Sequence, residues 1–269
     1  MALRFYSFSS SSSGNCYLVK SENTALLVDV GISGKKIIES LDETETPLED
    51  IKGVLITHEH VDHVKSVRVL SKKLCQAGIY ANLETWSKMP EDIAEEKIKI
   101  FKTEESFEIG DIKVKPFRIS HDALEPVGFT FICESKQLSI VTDTGYITEE
   151  IYDEIKDADL LILESNHDES MLKMGKYPWN IKQRILGPEG HLSNESAGEC
   201  ISNIMTERKE KENVKPLHVL LAHLSSENNF PQLAYHTVKN VLEASEHYLG
   251  EILKIEILLK NQISDMYEI

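Results

Sequence analysis

The stretch Thr57-His58-Glu59-His60-Val61-Asp62-His63 constrains this chain more than any other. It packs three imidazoles and the Asp62 carboxylate into six positions, directly after the apolar run Gly53-Val54-Leu55-Ile56-Thr57, which reads as a short buried strand. His58 and His60, two apart, point the same way from an extended backbone. Asp62 and His63 fall where the chain turns into a helix expected from about Val64 to Gln76, so they face a neighbouring position. Such a set suits a pair of adjacent transition-metal ions. Any one of these histidines alone fits a solvated turn; the whole H-x-H-x-D-H string carries the metal reading.

Two ions need more ligands than one loop supplies, and three further strand ends offer them. Lys113 to Ile119 runs into Ser120-His121-Asp122, Leu138 to Thr142 into Asp143-Thr144-Gly145, and Leu217 to Ala222 into His223-Leu224-Ser225. Singly, His121 and His223 fit hydrogen-bonded structural histidines, and Asp143 before Thr-Gly fits a turn. What links them to His58–His63 is that each follows a strand.

These residues resemble the motif series of the metallo-β-lactamase fold, an α/β architecture built as an αββα four-layer sandwich with a dinuclear site. The resemblance covers nearly the whole chain. Leu27-Val28-Asp29-Val30-Gly31 is similar to the first motif, in which the Asp, here Asp29, orients the metal loop. His58, His60, Asp62 and His63 match the second motif, His121 the third, Asp143 the fourth and His223 the fifth. The resemblance implies one metal on His58, His60 and His121, another on Asp62, His63 and His223, and Asp143 as the bridge. A carboxylate at the bridging position, where β-lactamases carry Cys, points to the hydrolase and nuclease branches.

A narrower resemblance rests on Ser10 to Tyr17 (S-S-S-S-G-N-C-Y), Glu164-Ser165-Asn166-His167-Asp168, Gly190-His191-Leu192-Ser193-Asn194 and His223 to Asn229. In order and spacing these strings are similar to the YycJ (WalJ) family of bacterial proteins. That family implies metal-dependent 5′ to 3′ exonuclease action on DNA, a place in DNA repair and a cytoplasmic location. Imidazole with carboxylate suits Zn, Mn, Fe or Co; the resemblance favours Mn, with Zn next.

The chain has 269 residues, a length at which residues 1–269 are expected to form a single domain of this fold, and no linker or repeat interrupts it. The interval from Asp143 to His223 leaves room for a few helices and no inserted domain. The serine run Ser9 to Ser13 reads as a tight turn, Asp42 to Asp50 as a surface loop, and Glu207 to Asn213 as a charged helix end, with a capping box at Ser196 and Glu199. Neither a signal-peptide core at the amino terminus nor an apolar run approaching about 20 residues is present, so no membrane association is expected. Cys16, Cys75, Cys133 and Cys200 lack close spacing and read as thiols in or near the core.

A net charge of −16 opposes binding to nucleic acid, whose affinity is dominated by neutralised phosphates. The local answer is the segment Ser170 to Pro188, which carries Lys173, Lys176, Lys182 and Arg184 with Tyr177 and Trp179 among them and holds no Asp or Glu. A basic strip with interleaved aromatics suits a single strand, through backbone charge and base stacking. Lys65, Arg68, Lys72 and Lys73 add charge behind the metal motif. The alternative is an ordinary amphipathic helical segment with solvated lysines.

The chemistry expected is phosphodiester hydrolysis by hydroxide generated between two metal ions about 3.5–4 Å apart. Asp62 serves as ligand and proton acceptor, His191 contacts the phosphate or protonates the leaving oxygen, and His167 helps to orient the ligands. His218, His236 and His247 read as structural or surface residues. A competing reading is a small-molecule hydrolase acting on a lactone, thioester or cyclic phosphodiester, which the acidic composition favours. A third, from another class, is a non-catalytic metal-binding interaction module, for which seven strand-end ligands have no evident use. Protein partners are not legible in the sequence.

Overall fold

The structure, a computed structural model, describes residues 2–210 and 214–269. The chain is α/β, with mixed β-sheet flanked by helices, and its residues cluster into two compact units. One unit comprises the chain up to residue 118 with 123–137 and 259–269; the other comprises 119–122 and 138–258.

In the first unit, β1 (Arg4–Ser9), β2 (Cys16–Lys20) and β3 (Ala25–Val28) form an antiparallel meander. It continues in parallel through β4 (Ile51–Leu55), β5 (Gly78–Ala81) and β6 (Ile98–Ile100). Helix α1 (Gly34–Glu43) makes the crossover from β3 to β4. Ser33 caps it by accepting from the Lys36 amide, and Ile37 and Leu41, one turn apart, are buried. Leu27, Val54, Ile56 and Ile79 join them in the core of this unit. The short helix α4 (Leu83–Trp86) leads towards β6, and β7 (Phe107–Ile109), β8 (Ile112–Arg118) and β9 (Val127–Cys133) then form an antiparallel set.

The strand before the metal motif ends at Leu55, two residues earlier than its apolar run suggests. The Thr57 amide donates to the Asp29 carboxylate at 3.0 Å, and so leaves the ladder. The single helix expected from Val64 to Gln76 is two, α2 (Val61–Val64) and α3 (Val67–Lys73). Ser66 interrupts them because its amide donates to the Val30 carbonyl at 3.0 Å and its hydroxyl to the Ile32 carbonyl at 2.5 Å. The serine run is a tight turn, as expected: Ser10 and Ser11 are buried and the Gly14 amide donates to the Ser11 carbonyl.

In the second unit, β10 (Lys136–Val141), β11 (Leu160–Glu164), β12 (Leu217–Ala222) and β13 (Leu253–Ile257) are all parallel. Parallel neighbours require crossovers. These are α5 (Glu149–Ile155), then α6 (Glu169–Met174), α7 (Trp179–Ile185) and α8 (Asn194–Lys209), then α9 (Pro231–Ala244). The apolar runs 160–163 of β11 and 219–222 of β12 are buried throughout and reflect burial on both faces. Helix α8 starts one turn before the expected capping box: Ser193 is the cap, accepting from the Ser196 amide at 3.1 Å. Of the expected charged helix end, 211–213 lie outside the described residues. The short strand β14 (Tyr267–Glu268) pairs antiparallel with β1 in the first unit.

Arg208, 2% exposed on α8, locks the second unit. Its guanidinium donates to the carbonyls of Lys156, Ala158, Lys215 and Pro216 at 2.7–3.0 Å, tying the approach to β11 to the approach to β12. Burial works to lower its pKa, with Asp157 and Asp159 opposing. Arg208→Leu leaves four carbonyls without this donor and is expected to cost roughly 3 kcal/mol or more. A chemical denaturation midpoint measured with and without added metal checks this; the loss should be the same in both.

Candidate metal centre

In the first unit the metal motif is organised by the fully buried Asp29, at the end of β3. Its carboxylate accepts from the Thr57 amide, the Thr57 hydroxyl (3.0 and 3.1 Å) and His63 Nδ1 (2.7 Å). The Thr57 hydroxyl has one proton and gives it to Asp29, so it accepts from His58 Nδ1 at 2.9 Å. Both rings therefore carry hydrogen on Nδ1, the tautomer in which Nε2 could ligate a metal. His58 Nε2 lies 3.0 Å from His60 Nδ1, and His63 Nε2 lies 3.4 Å from Asp62 Oδ2. The serine turn contributes Asn15, whose amide side chain is 3.2 Å from His63 Nε2 and whose backbone amide donates to the Asp62 carbonyl at 2.9 Å. This approach requires Gly31, since a Cβ there would lie 1.5 Å from the Asp62 carbonyl oxygen.

In the second unit the same work falls to Glu164, the fully buried last residue of β11. It accepts from His223 Nδ1 and His191 Nδ1, both at 2.8 Å, and from the amides of Thr144 (2.8 Å) and Leu192 (3.2 Å). Burial alone would raise its pKa; His191 and His223 overcome that and bring it down to about 2. For His191, burial acts to lower the pKa, and the charge and hydrogen bond of Glu164 overcome it and hold the imidazole above its ordinary value. His121 Nδ1 donates to the Gly190 carbonyl at 3.2 Å, and burial pulls its pKa down. With Nδ1 so occupied, His223 Nε2 lies 3.4 Å from Asp143 Oδ1 and His121 Nε2 lies 3.8 Å from it. The Asn166 side chain donates to the His223 carbonyl at 2.8 Å and steadies this turn.

Three residues at these strand ends have left-handed backbone: Asp29 (φ 56°), Asp143 (φ 61°) and His223 (φ 57°). The conformation is uncommon outside glycine and turns each side chain sharply off the line of its strand. The donor set fits divalent cations. In each unit a histidine Nε2 faces a carboxylate oxygen at 3.4 Å, and a cation between the two would be ligated by both. Within the second unit, Asp143, Glu164, His191 and His223 bring ligand atoms within 4.8 Å of one another.

Each strand-end ligand expected from the sequence thus lies at a strand end of its unit. His191 is partly buried, its ring centred 5.1 Å from that of His121 and 5.4 Å from that of His223. His167 does not orient ligands as expected: it is buried, but neither ring nitrogen has a hydrogen-bond partner among the described residues, and burial pulls its pKa down to about 4. Glu164 and Asn166, from the same string, hold the ligands instead. The signal for Glu164 was its charge at the close of the apolar run Leu160 to Leu163, since such a residue is rarely buried without partners.

The basic strip is only partly a surface. Lys173, Lys176, Trp179 and Arg184 are exposed and Tyr177 is half-buried. Lys182 is buried and donates to the carbonyls of Lys173 (2.8 Å) and Gly175 (2.7 Å), so it holds α7 against α6 and leaves the strip. Arg184 pairs with Asp122 at 2.5 Å, and Lys173 with Glu169 at 2.5 Å. Behind the metal motif, Arg68 and Lys72 share Asp92. Cys16, Cys133 and Cys200 are buried free thiols and Cys75 is an exposed one. No helix among the described residues is long and apolar enough to cross a membrane.

Comparison with known proteins follows the same lines. The model of the β-lactamase superfamily domain matches residues 24–210. The chain is 39% identical over 258 residues to the exodeoxyribonuclease YycJ of Bacillus anthracis, an alignment covering 95% of each chain. It is 36% identical over 260 residues to the exodeoxyribonuclease WalJ of Streptococcus pneumoniae, covering 95% of this chain and 94% of that one. The crystal structure of the metallo-β-lactamase fold protein YhfI from Bacillus subtilis matches with a TM-score of 0.72 at 18% identity over all of both chains, which shows a shared fold.

Glu164→Gln keeps the shape and removes the charge that two histidines share. It is expected to weaken metal binding by about 10- to 100-fold, the usual effect of losing a partner behind a metal-ligating histidine. His167→Asn, which breaks no hydrogen bond of this network, should leave affinity near that of the parent. Metal titration of both variants, with circular dichroism as the control for folding, checks the pair.

Proposed function

The chain belongs to the β-lactamase superfamily and, within it, to the YycJ/WalJ family, and from that footing we propose that it is a 5′ to 3′ DNA exonuclease. It is a metal-dependent hydrolase; the proposal concerns substrate, metal count and residue roles. The observation that carries the DNA reading is near full-length similarity to two exodeoxyribonucleases. The chain is taken to work as a single metallo-β-lactamase-fold domain in the cytoplasm, in DNA repair.

Two divalent ions, Mn preferred and Zn next, are assigned to His58, His60, Asp62, His63, His121, Asp143 and His223. When bound they supply a water of lowered pKa and neutralise charge on the phosphoryl oxygens. Asp62, at 26% side-chain exposure, is open enough to accept a proton as well as bind. His191 is held through Nδ1 by Glu164, whose charge favours the protonated ring, and Nε2 is assigned to deliver a proton to the departing oxygen. Lys173, Lys176 and Arg184 attract the strand, and Tyr177 and Trp179, the latter 64% exposed, offer ring faces to its bases.

The net charge of −16 and the loss of Lys182 from the strip favour a small-molecule hydrolase as the second reading. Digestion of end-labelled single- and double-stranded DNA and RNA, with and without a 5′ phosphate, separates the two. Nucleotide release from DNA 5′ ends is expected to exceed turnover of lactones, thioesters and β-lactams. Ester turnover with no nucleotide release under the same metal conditions would replace this proposal with the second reading.

The residue roles have their own test. His60→Ala and Asp143→Ala should lower both metal content and activity. His191→Ala should lower single-turnover rate by about 10² to 10⁴ with metal content nearly intact. Elemental analysis alongside rapid-quench kinetics reads both; loss of metal from His191→Ala would make His191 a ligand.

A further inference from the structure

A cleft of about 530 Å³ in the second unit is lined by Tyr146, Tyr152, Leu192, Ser196, Glu199 and Asn203. Its volume lies within the roughly 300–1,000 Å³ usual for small-molecule sites. Two of its walls continue directly from the site. Tyr146 follows Asp143 by three positions and Leu192 follows His191. The Tyr146 carbonyl accepts from the Thr144 hydroxyl at 2.9 Å, and the Thr144 amide in turn donates to Glu164. The backbone that carries the Tyr146 ring is therefore fastened to the carboxylate that holds His191 and His223. The residue itself is 48% exposed.

The chemistry of the lining selects its occupant. No Lys or Arg faces the cleft, while Glu149 and Glu199 do, so a phosphate is repelled. The Tyr152 hydroxyl is engaged by Glu207 at 3.1 Å and, pushed up to about 12 by burial and that carboxylate, stays neutral; its ring acts as a wall. What remains is an aromatic face and an apolar floor at Leu192, edged by hydroxyl, amide and carboxylate groups that accept from exocyclic amines. A flat, uncharged ring with N–H donors at its edge, as every nucleobase has, fits these terms.

We propose that this cleft takes the nucleobase of the terminal nucleotide of the DNA strand, with Tyr146 as its stacking platform, so that the enzyme senses whether the end carries a base. The inference rests on the nuclease reading and adds to it a specificity subsite outside the basic strip. Stacking on an aromatic side chain contributes about 5- to 150-fold in affinity per base.

The test uses the Mn-loaded protein and two DNAs that differ only in a base or an abasic residue at the 5′ terminus. The parent should prefer the base-bearing end on the order of tenfold in kcat/KM, mainly through KM. Tyr146→Ala should abolish the preference and Tyr146→Phe should retain it. As a readout without turnover, 2-aminopurine at the terminal position should be quenched on binding to His191→Ala and not on binding to the His191→Ala, Tyr146→Ala double variant. Equal preference in parent and Tyr146→Ala, or equal loss by Tyr146→Ala on both ends, would overturn the base assignment while nucleotide release upholds the nuclease reading. No release from any DNA by the parent would overturn both.

Discussion

A carboxylate with no exposure to water can close a strand only if hydrogen bonds replace its lost hydration. This chain meets that condition once in each unit, and one candidate metal ligand in each, His63 and His223, is among the donors that meet it. Asp29 collects Thr57 and His63; Glu164 collects His191, His223 and two backbone amides. Each imidazole drawn in through Nδ1 is fixed in tautomer and rotation with Nε2 outward. His63, His191 and His223 are thus aligned by the protein's own need to solvate buried charge.

Cations are also used internally. Arg208 and Lys182 are both buried, and both are capped by carbonyl oxygens: four for the guanidinium, two for the ammonium. Each serves carbonyls at helix ends or at the approaches to strands, where the regular ladders run out of donors. Formal charge therefore misstates the surface in both directions. Some of the few cations are withdrawn from it, and several of the rest stand beside acids, as Arg184 does with Asp122.

How far the sequence could be read follows from these same interactions. The candidate ligands stand out in the sequence because coordination accepts few residue types and because parallel strands deliver residues at their carboxyl ends; His58 and His223 do so for both reasons. The family strings added His191 in the same way. Glu164 was written there too, but its role depends on donors from residues 144, 191, 192 and 223, which no local pattern brings together. Lys182 looked like its neighbours, since periodicity does not report that an ammonium has found two carbonyls. The break between α2 and α3 was hidden because Ser66 obeys Val30 and Ile32, over thirty residues away.

The left-handed backbone at Asp29, Asp143 and His223 places a ceiling on this protein's stability. Each is an L-residue held where glycine would rest at less cost, by about 1 kcal/mol or more, and the surrounding sheet supplies the difference. The sheets could therefore support a firmer molecule than the one that exists. Drift to glycine at Asp29 would strand the Thr57 and His63 donors, and at His223 would take a donor from buried Glu164, so relief of strain is expected to outweigh loss only at Asp143, where an inactive descendant should melt later than its working parent.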